Sequence, residues 1–105
     1  MIKVKSLIDI LKKNKTNFFT GVPDSVLKEL SINLQNKTKK NHIIASNEGS
    51  AISIGIGHYL STKKIPCVYM QNSGLSNAIN PLISIAHPKV YSIPLILIIG
   101  WRGAP

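Results

Sequence analysis

Short apolar runs alternate with stretches of helical periodicity along the whole chain, and this alternation restricts the fold more than any single residue does. Val4, Leu7, Ile8 and Leu11 recur at helical spacing, which predicts a helix over Ser6 to about Lys13, ended by Asn14 to Thr16. Asn17-Phe18-Phe19-Thr20 reads as a first strand, and Gly21-Val22-Pro23-Asp24-Ser25 turns sharply out of it. Asp24 or Ser25 is placed to cap a second helix whose apolar face is Val26, Leu27, Leu30 and Leu34. After the basic connector Asn36 to Asn41, His42 to Ala45 is short and rich in isoleucine, the pattern of a buried strand. From Ala51 a small-residue helix follows, with Ile52, Gly55, Ile56 and Tyr59 on one face. Pro66 to Gln71 is a third strand, and Asn72-Ser73-Gly74 turns into a helix marked by Leu75, Ala78, Ile79, Leu82 and Ile83 and interrupted at Pro81. Pro94 to Trp101 is the fourth strand, and Arg102-Gly103-Ala104-Pro105 leaves it.

Strands alternating with helices predict an α/β fold, a mainly parallel sheet with flanking helices. Parallel sheets are buried on both faces, whereas this chain stops just after its most hydrophobic strand, so a truncated domain is expected. Gly55 and Gly57 lie inside a helical pattern rather than in a strand-to-helix turn. That position suits close helix packing and not dinucleotide binding.

With 105 residues and an apolar fraction of 44%, the chain supports one core and not two. The net charge of +9 raises the question of nucleic acid, but the lysines fall at element ends and in connectors, without interleaved aromatics, so no nucleic-acid partner is expected. The longest apolar run, Leu95 to Ile99, is far too short for a bilayer, and the amphipathic amino terminus is unlike a signal peptide. The single cysteine, Cys67, allows no internal disulfide. A cytoplasmic setting with no membrane association is the default expectation, and the sequons at Asn14 and Asn36 are then chance matches.

Three strand-exit turns should open on one edge of the sheet: Gly21 to Ser25, Ser46 to Ser50, and Gln71 to Asn77. In the second of these, Ser46 or Asn47 can cap the helix and leave Glu48 in its first turn. Acidic residues are favoured there simply through the exposed amides and the dipole, so position alone does not make Glu48 functional. The order of the three turns, GVPDS, then NEG before a small-residue helix, then YMQNSGLSNAINPL, resembles the pyrimidine-binding domain of thiamine-diphosphate-dependent decarboxylases. With Gly100-Trp101-Arg102-Gly103 after the fourth strand, the resemblance is nearest to the phosphonopyruvate decarboxylases, and sulfopyruvate decarboxylases are similar over the same segment. It covers nearly all of residues 1–105, as the amino-terminal part of such an enzyme.

The resemblance implies thiamine diphosphate as cofactor and a catalytic role for Glu48, as the carboxyl group that hydrogen-bonds the aminopyrimidine and favours its imino tautomer. The imino nitrogen then takes the proton from the thiazolium carbon that attacks a 2-oxo acid. Asn72, Ser73, Gly74 and Asn77 match the turn beside the pyrimidine, where Gly74 would let backbone approach a flat ring. An ordinary helix start with Ser73 as cap is the structural alternative. Asp24, Ser25 and Arg102 are substrate-side candidates, with helix capping and plain exposure as the alternatives. His42, His58 and His87 are expected to be structural or surface residues. No Gly-Asp-Gly segment with a later Asn is present, so the resemblance assigns Mg2+ and the diphosphate to another domain or subunit, and the intact enzyme to a homo-oligomer. A non-catalytic interaction module with the same fold is the competing reading.

Overall fold

The computed structural model describes residues 3–37 and 39–103; Ala104 and Pro105, expected to lead away from the fourth strand, lie outside them. Helix α1 is Val4–Lys13, strand β1 is Phe19–Gly21, helix α2 is Lys28–Lys37, and strand β2 is His42–Ile44. Helix α3 is Glu48–Thr62, strand β3 is Cys67–Gln71, helix α4 is Leu75–Pro81, and strand β4 is Ile96–Gly100. Short 3-10 turns precede β2 and α4, at Lys39–Asn41 and Asn72–Gly74.

The four strands form one parallel sheet in the order β2-β1-β3-β4, with Phe19 opposite His42 on one side and Cys67 on the other. Side chains alternate across a strand, and the alternation sorts the core into two layers. Phe19, Cys67 and Tyr69 pack on Ile8 and Leu11 of α1 and on Leu30 and Leu34 of α2. On the other face Val68 and Met70 pack on Ala51, Ile52 and Ile56 of α3 and on Ala78 of α4. The connection from β1 goes outward to β2 and the connection from β3 goes the opposite way to β4, so the strand order reverses between β1 and β3. In open parallel sheets that reversal opens a crevice at the carboxyl ends of the strands.

Several expectations need correction. The His42 to Ala45 run is not a buried strand: β2 is the sheet edge, with Ile43 44% and Ile44 50% exposed, because only β1 pairs with it. Nor is β4 bare, since Ile96 and Ile98 touch one core layer and Leu97 and Ile99 the other. Val26 and Leu27 precede α2 in a turn rather than riding on its face. Gly55 packs as expected, its position 3.0 Å short of Val68 if a Cβ were added, whereas Gly57 faces open space and serves no packing. Pro81 neither kinks a continuous helix nor delays its start: α4 runs up to Pro81 and continues as a π-helical turn over Leu82–Ala86. Proline lacks the amide that an α-helical ladder needs.

Candidate active site

Asn47 caps α3, its Oδ1 accepting the Ser50 amide at 2.8 Å, and Glu48 is therefore the first helical residue just beyond the exit of β2. The 3-10 turn Asn72–Gly74 and the start of α4 leave β3 at the same sheet edge. Two features join these segments. The Asn77 Nδ2 donates to Glu48 Oε1 at 3.1 Å. Gly74 lies so close to the Glu48 carboxyl that a Cβ there would collide with Cγ, Cδ and Oε2. Glu48 Oε2 accepts no hydrogen bond among the described residues. The helices meet closely because Gly49 leaves room beside the Asn77 carbonyl, which a Cβ would approach to 3.0 Å.

The structure thus brings Glu48, Gly74 and Asn77 together, whereas the other candidates make contacts of their own. Ser73 does not cap α4, whose N-cap is Gly74; its Oγ accepts Gln71 Nε2 at 2.7 Å instead. Asn72 accepts the Arg102 amide at 3.1 Å and donates to the Arg102 carbonyl at 3.3 Å, pinning the exit of β4 to that of β3. The Arg102 side chain is exposed.

At the exit of β1, Asp24 Oδ1 accepts the Leu27 amide at 2.9 Å, so Asp24 rather than the exposed Ser25 closes the turn before α2. Asp24 Oδ2 and Thr20 Oγ1 are buried and have no hydrogen-bond partner among the described residues. Gly21 is required here by close approach: a Cβ would strike the carbonyl and ring of Tyr69. The Tyr69 ring reaches across β1 and its hydroxyl lies 2.6 Å from His42 Nε2. The other histidines also have local roles, His58 stacked on Phe18 and His87 Nδ1 accepting the Lys89 amide.

One feature escaped the sequence reading. An open groove of about 710 Å3 runs between α3 and α4, lined by Asn47, Ser50, Ser53, Ile54, Asn77 and Asn80 among others. Asn47, Ser50 and Ser53 recur every third residue, a polar stripe beside Glu48 that was legible as a second face of α3. Among the described residues no group of three or more His, Cys, Asp or Glu side chains converges to hold a metal ion, and no helix is long and apolar enough to cross a membrane.

Comparison with known proteins decides the family. Residues 3–105 match the thiamine pyrophosphate enzyme, N-terminal TPP binding domain. The chain belongs to this family. Sulfopyruvate decarboxylase subunit alpha of Methanococcus maripaludis is 39% identical over 87 residues, covering 83% of this chain and 50% of the relative. Phosphonopyruvate decarboxylase of Streptomyces viridochromogenes is 36% identical over 85 residues, 81% of this chain but 21% of the relative. Among solved structures, benzoylformate decarboxylase from Polynucleobacter necessarius superposes with a TM-score of 0.75 at 28% identity, over 95% of this chain and 18% of that one. The chain therefore spans half the length of the first of these relatives and far less of the others. As a TPP-enzyme domain, its Glu48 carboxyl stands at a strand exit with one oxygen committed to Asn77 and the other accepting no hydrogen bond among the described residues, a donor set that suits a nitrogen heterocycle able to share a proton.

Proposed function

We propose that this chain supplies the pyrimidine-binding part of a thiamine-diphosphate-dependent 2-oxo acid decarboxylase, with Glu48 as its acid–base residue. The observation that carries the reading is the Glu48 carboxyl, held by Asn77 on one oxygen and given room beside the other by the missing side chain of Gly74. When bound, thiamine diphosphate supplies an electron sink for the carbanion left by loss of CO2. Glu48 Oε2 would hold a proton on the pyrimidine ring nitrogen, and the half-buried setting of the residue limits exchange of that proton with bulk water. Asn72, Ser73 and Gly74 would lie beside the ring. Magnesium and the diphosphate fall to another domain or subunit, consistent with the subunit organisation named for the Methanococcus relative.

The substrate proposed is phosphonopyruvate, which loses CO2 and takes up a proton to give phosphonoacetaldehyde, a step of phosphonate biosynthesis. Arg102, at the β4 exit tied to Asn72, is the cation available for the phosphonate, and Asp24 and Ser25 border the same sheet edge. Sulfopyruvate is the second reading, favoured by the higher identity to a sulfopyruvate decarboxylase subunit. Both acids carry an anionic head on the same three-carbon frame, so a direct competition between them in the reconstituted enzyme separates the two.

The test of Glu48 is exchange of the thiazolium proton into deuterated solvent, with cofactor fully bound in the presence of the diphosphate-binding partner. Glu48→Gln keeps the shape and still hydrogen-bonds, but it cannot hold or deliver a proton. Exchange is expected to slow by roughly a hundred- to ten-thousand-fold. Exchange as fast as in the parent would return Glu48 to the status of an ordinary first-turn acid and favour the non-catalytic module.

A further inference from the structure

The contact between Asn77 and Glu48 does more than place a carboxyl near a cofactor: it makes the two carboxyl oxygens unequal. We propose that Asn77 is a positioning residue that reserves Glu48 Oε1 as an acceptor and thereby confines the exchangeable proton to Oε2. This rests on the acid–base reading of Glu48 and adds the residue that decides which oxygen does the work.

An amide NH2 group can only donate, so the oxygen facing Asn77 Nδ2 at 3.1 Å must present a lone pair and cannot also present a proton along that line. The carbonyl oxygen of a neutral carboxyl is its better acceptor, so this contact favours the proton on Oε2. Gly74 leaves the space that Oε2 occupies, since any side chain there would overlap it. Gly74 and Asn77 are three residues apart across the start of α4, on one face, and so both meet the same carboxyl group, Asn77 at Oε1 and Gly74 beside Oε2. The close approach of Gly49 to the Asn77 carbonyl holds the main chain of α4 against α3, so the amide cannot back away without separating the helices. Asn77 is itself exposed at the groove between those helices, and its side chain contributes little to the core. That exposure makes the residue testable, because replacing it does not threaten the fold.

The decisive variant is Asn77→Asp, which keeps size and shape while exchanging a donor for an acceptor. Asn77→Ala serves as a second variant that removes the side chain without adding charge. The first measurement needs no cofactor. In the 15N spectrum of the full chain, the Asn77 side-chain NH2 signal should move as the Glu48 carboxyl is titrated, with one of its two protons shifting much more than the other. The response should vanish in Glu48→Gln. An Asn77 signal that ignores Glu48 ionisation overturns the proposal at once.

The second measurement is thiazolium proton exchange in the reconstituted enzyme at saturating cofactor. Loss of a hydrogen bond to a charged group predicts a drop of roughly ten- to a hundredfold for Asn77→Asp and Asn77→Ala, with the melting temperature of the chain little changed. If Glu48→Gln slows exchange and both Asn77 variants leave it at the parent rate, the acid–base reading stands and the role of Asn77 is overturned. If Glu48→Gln also leaves the rate unchanged, both fall together.

Discussion

A carboxylate in the first turn of a helix is stabilised by the exposed amides whatever else it does, so the two contacts on the head group of Glu48 are what separate it from an ordinary first-turn acid. A purely dipolar role needs neither the amide of Asn77 nor a glycine beside Oε2. Other residues carry consequences unrelated to that site. Burial pushes the Cys67 thiol up to about 12 from 9.0, and burial, with the neighbouring Cys67 adding to it, pushes the Tyr69 hydroxyl up to about 12 from 10.0. In both, the folded chain holds a proton that the unfolded chain releases sooner as pH rises. The unfolded state then binds fewer protons, and stability falls with pH. The contribution is fully present below pH 9 and is lost progressively between about pH 9 and 12. Urea midpoints measured from pH 7 to 11 should therefore stay level up to about 9 and then decline, and Cys67→Ala should flatten part of that decline. A midpoint that rises through this window contradicts the burial of these two groups.

At the level of elements, the periodic parts of the chain were the readable ones. Ile8 and Leu11 in α1, Leu30 and Leu34 in α2, and Ile52 and Ile56 in α3 all lie where helical spacing put them. Asn47 caps α3 as its side-chain chemistry predicts. What a sequence hides is lateral position: a run such as His-Ile-Ile-Ala looks the same at the centre of a sheet as at its edge, because apolar content reports hydrophobicity and not neighbours. Strand order is decided by which helix crosses which strand, and no residue in β2 encodes that. The turn before α4 was obscured for a different reason. Asn, Ser and Gly suit both a capped helix start and a 3-10 turn, and the structure has the second, with Gly74 packed against Glu48. The edge position of β2 predicts a contrast in stability. Ile44→Thr should shift the free energy of unfolding by no more than about 0.5 kcal/mol, the range for exposed positions. Ile52→Ala, at a position with no exposed surface, should cost roughly 2–5 kcal/mol. Equal losses in the two variants, measured by denaturant unfolding, would mean that β2 is covered in solution.

For the molecule as a whole, the strand exits that carry the candidate residues lie at one end of a parallel sheet. The Glu48 carboxyl proposed to serve a pyrimidine is held between α3 and α4 by Asn77, just beyond the exit of β2. The similarity to relatives covers most of this chain but half of the Methanococcus subunit and about a fifth of the Streptomyces enzyme. Ile79 in α4 and Ile83 in the π-helical turn after it are exposed at 50% and 60%. These observations converge on an expected outcome for the 105-residue chain by itself. Mixed with thiamine diphosphate, magnesium and either phosphonopyruvate or sulfopyruvate, it should release no CO2 above the uncatalysed rate, because orienting the pyrimidine without anchoring the diphosphate leaves the reacting carbon unplaced. Adding a subunit that carries the diphosphate site should restore turnover, and Glu48→Gln should abolish the restored rate while leaving assembly intact. Release of CO2 by the isolated chain would sink this account, since it assigns the metal and the diphosphate to a partner.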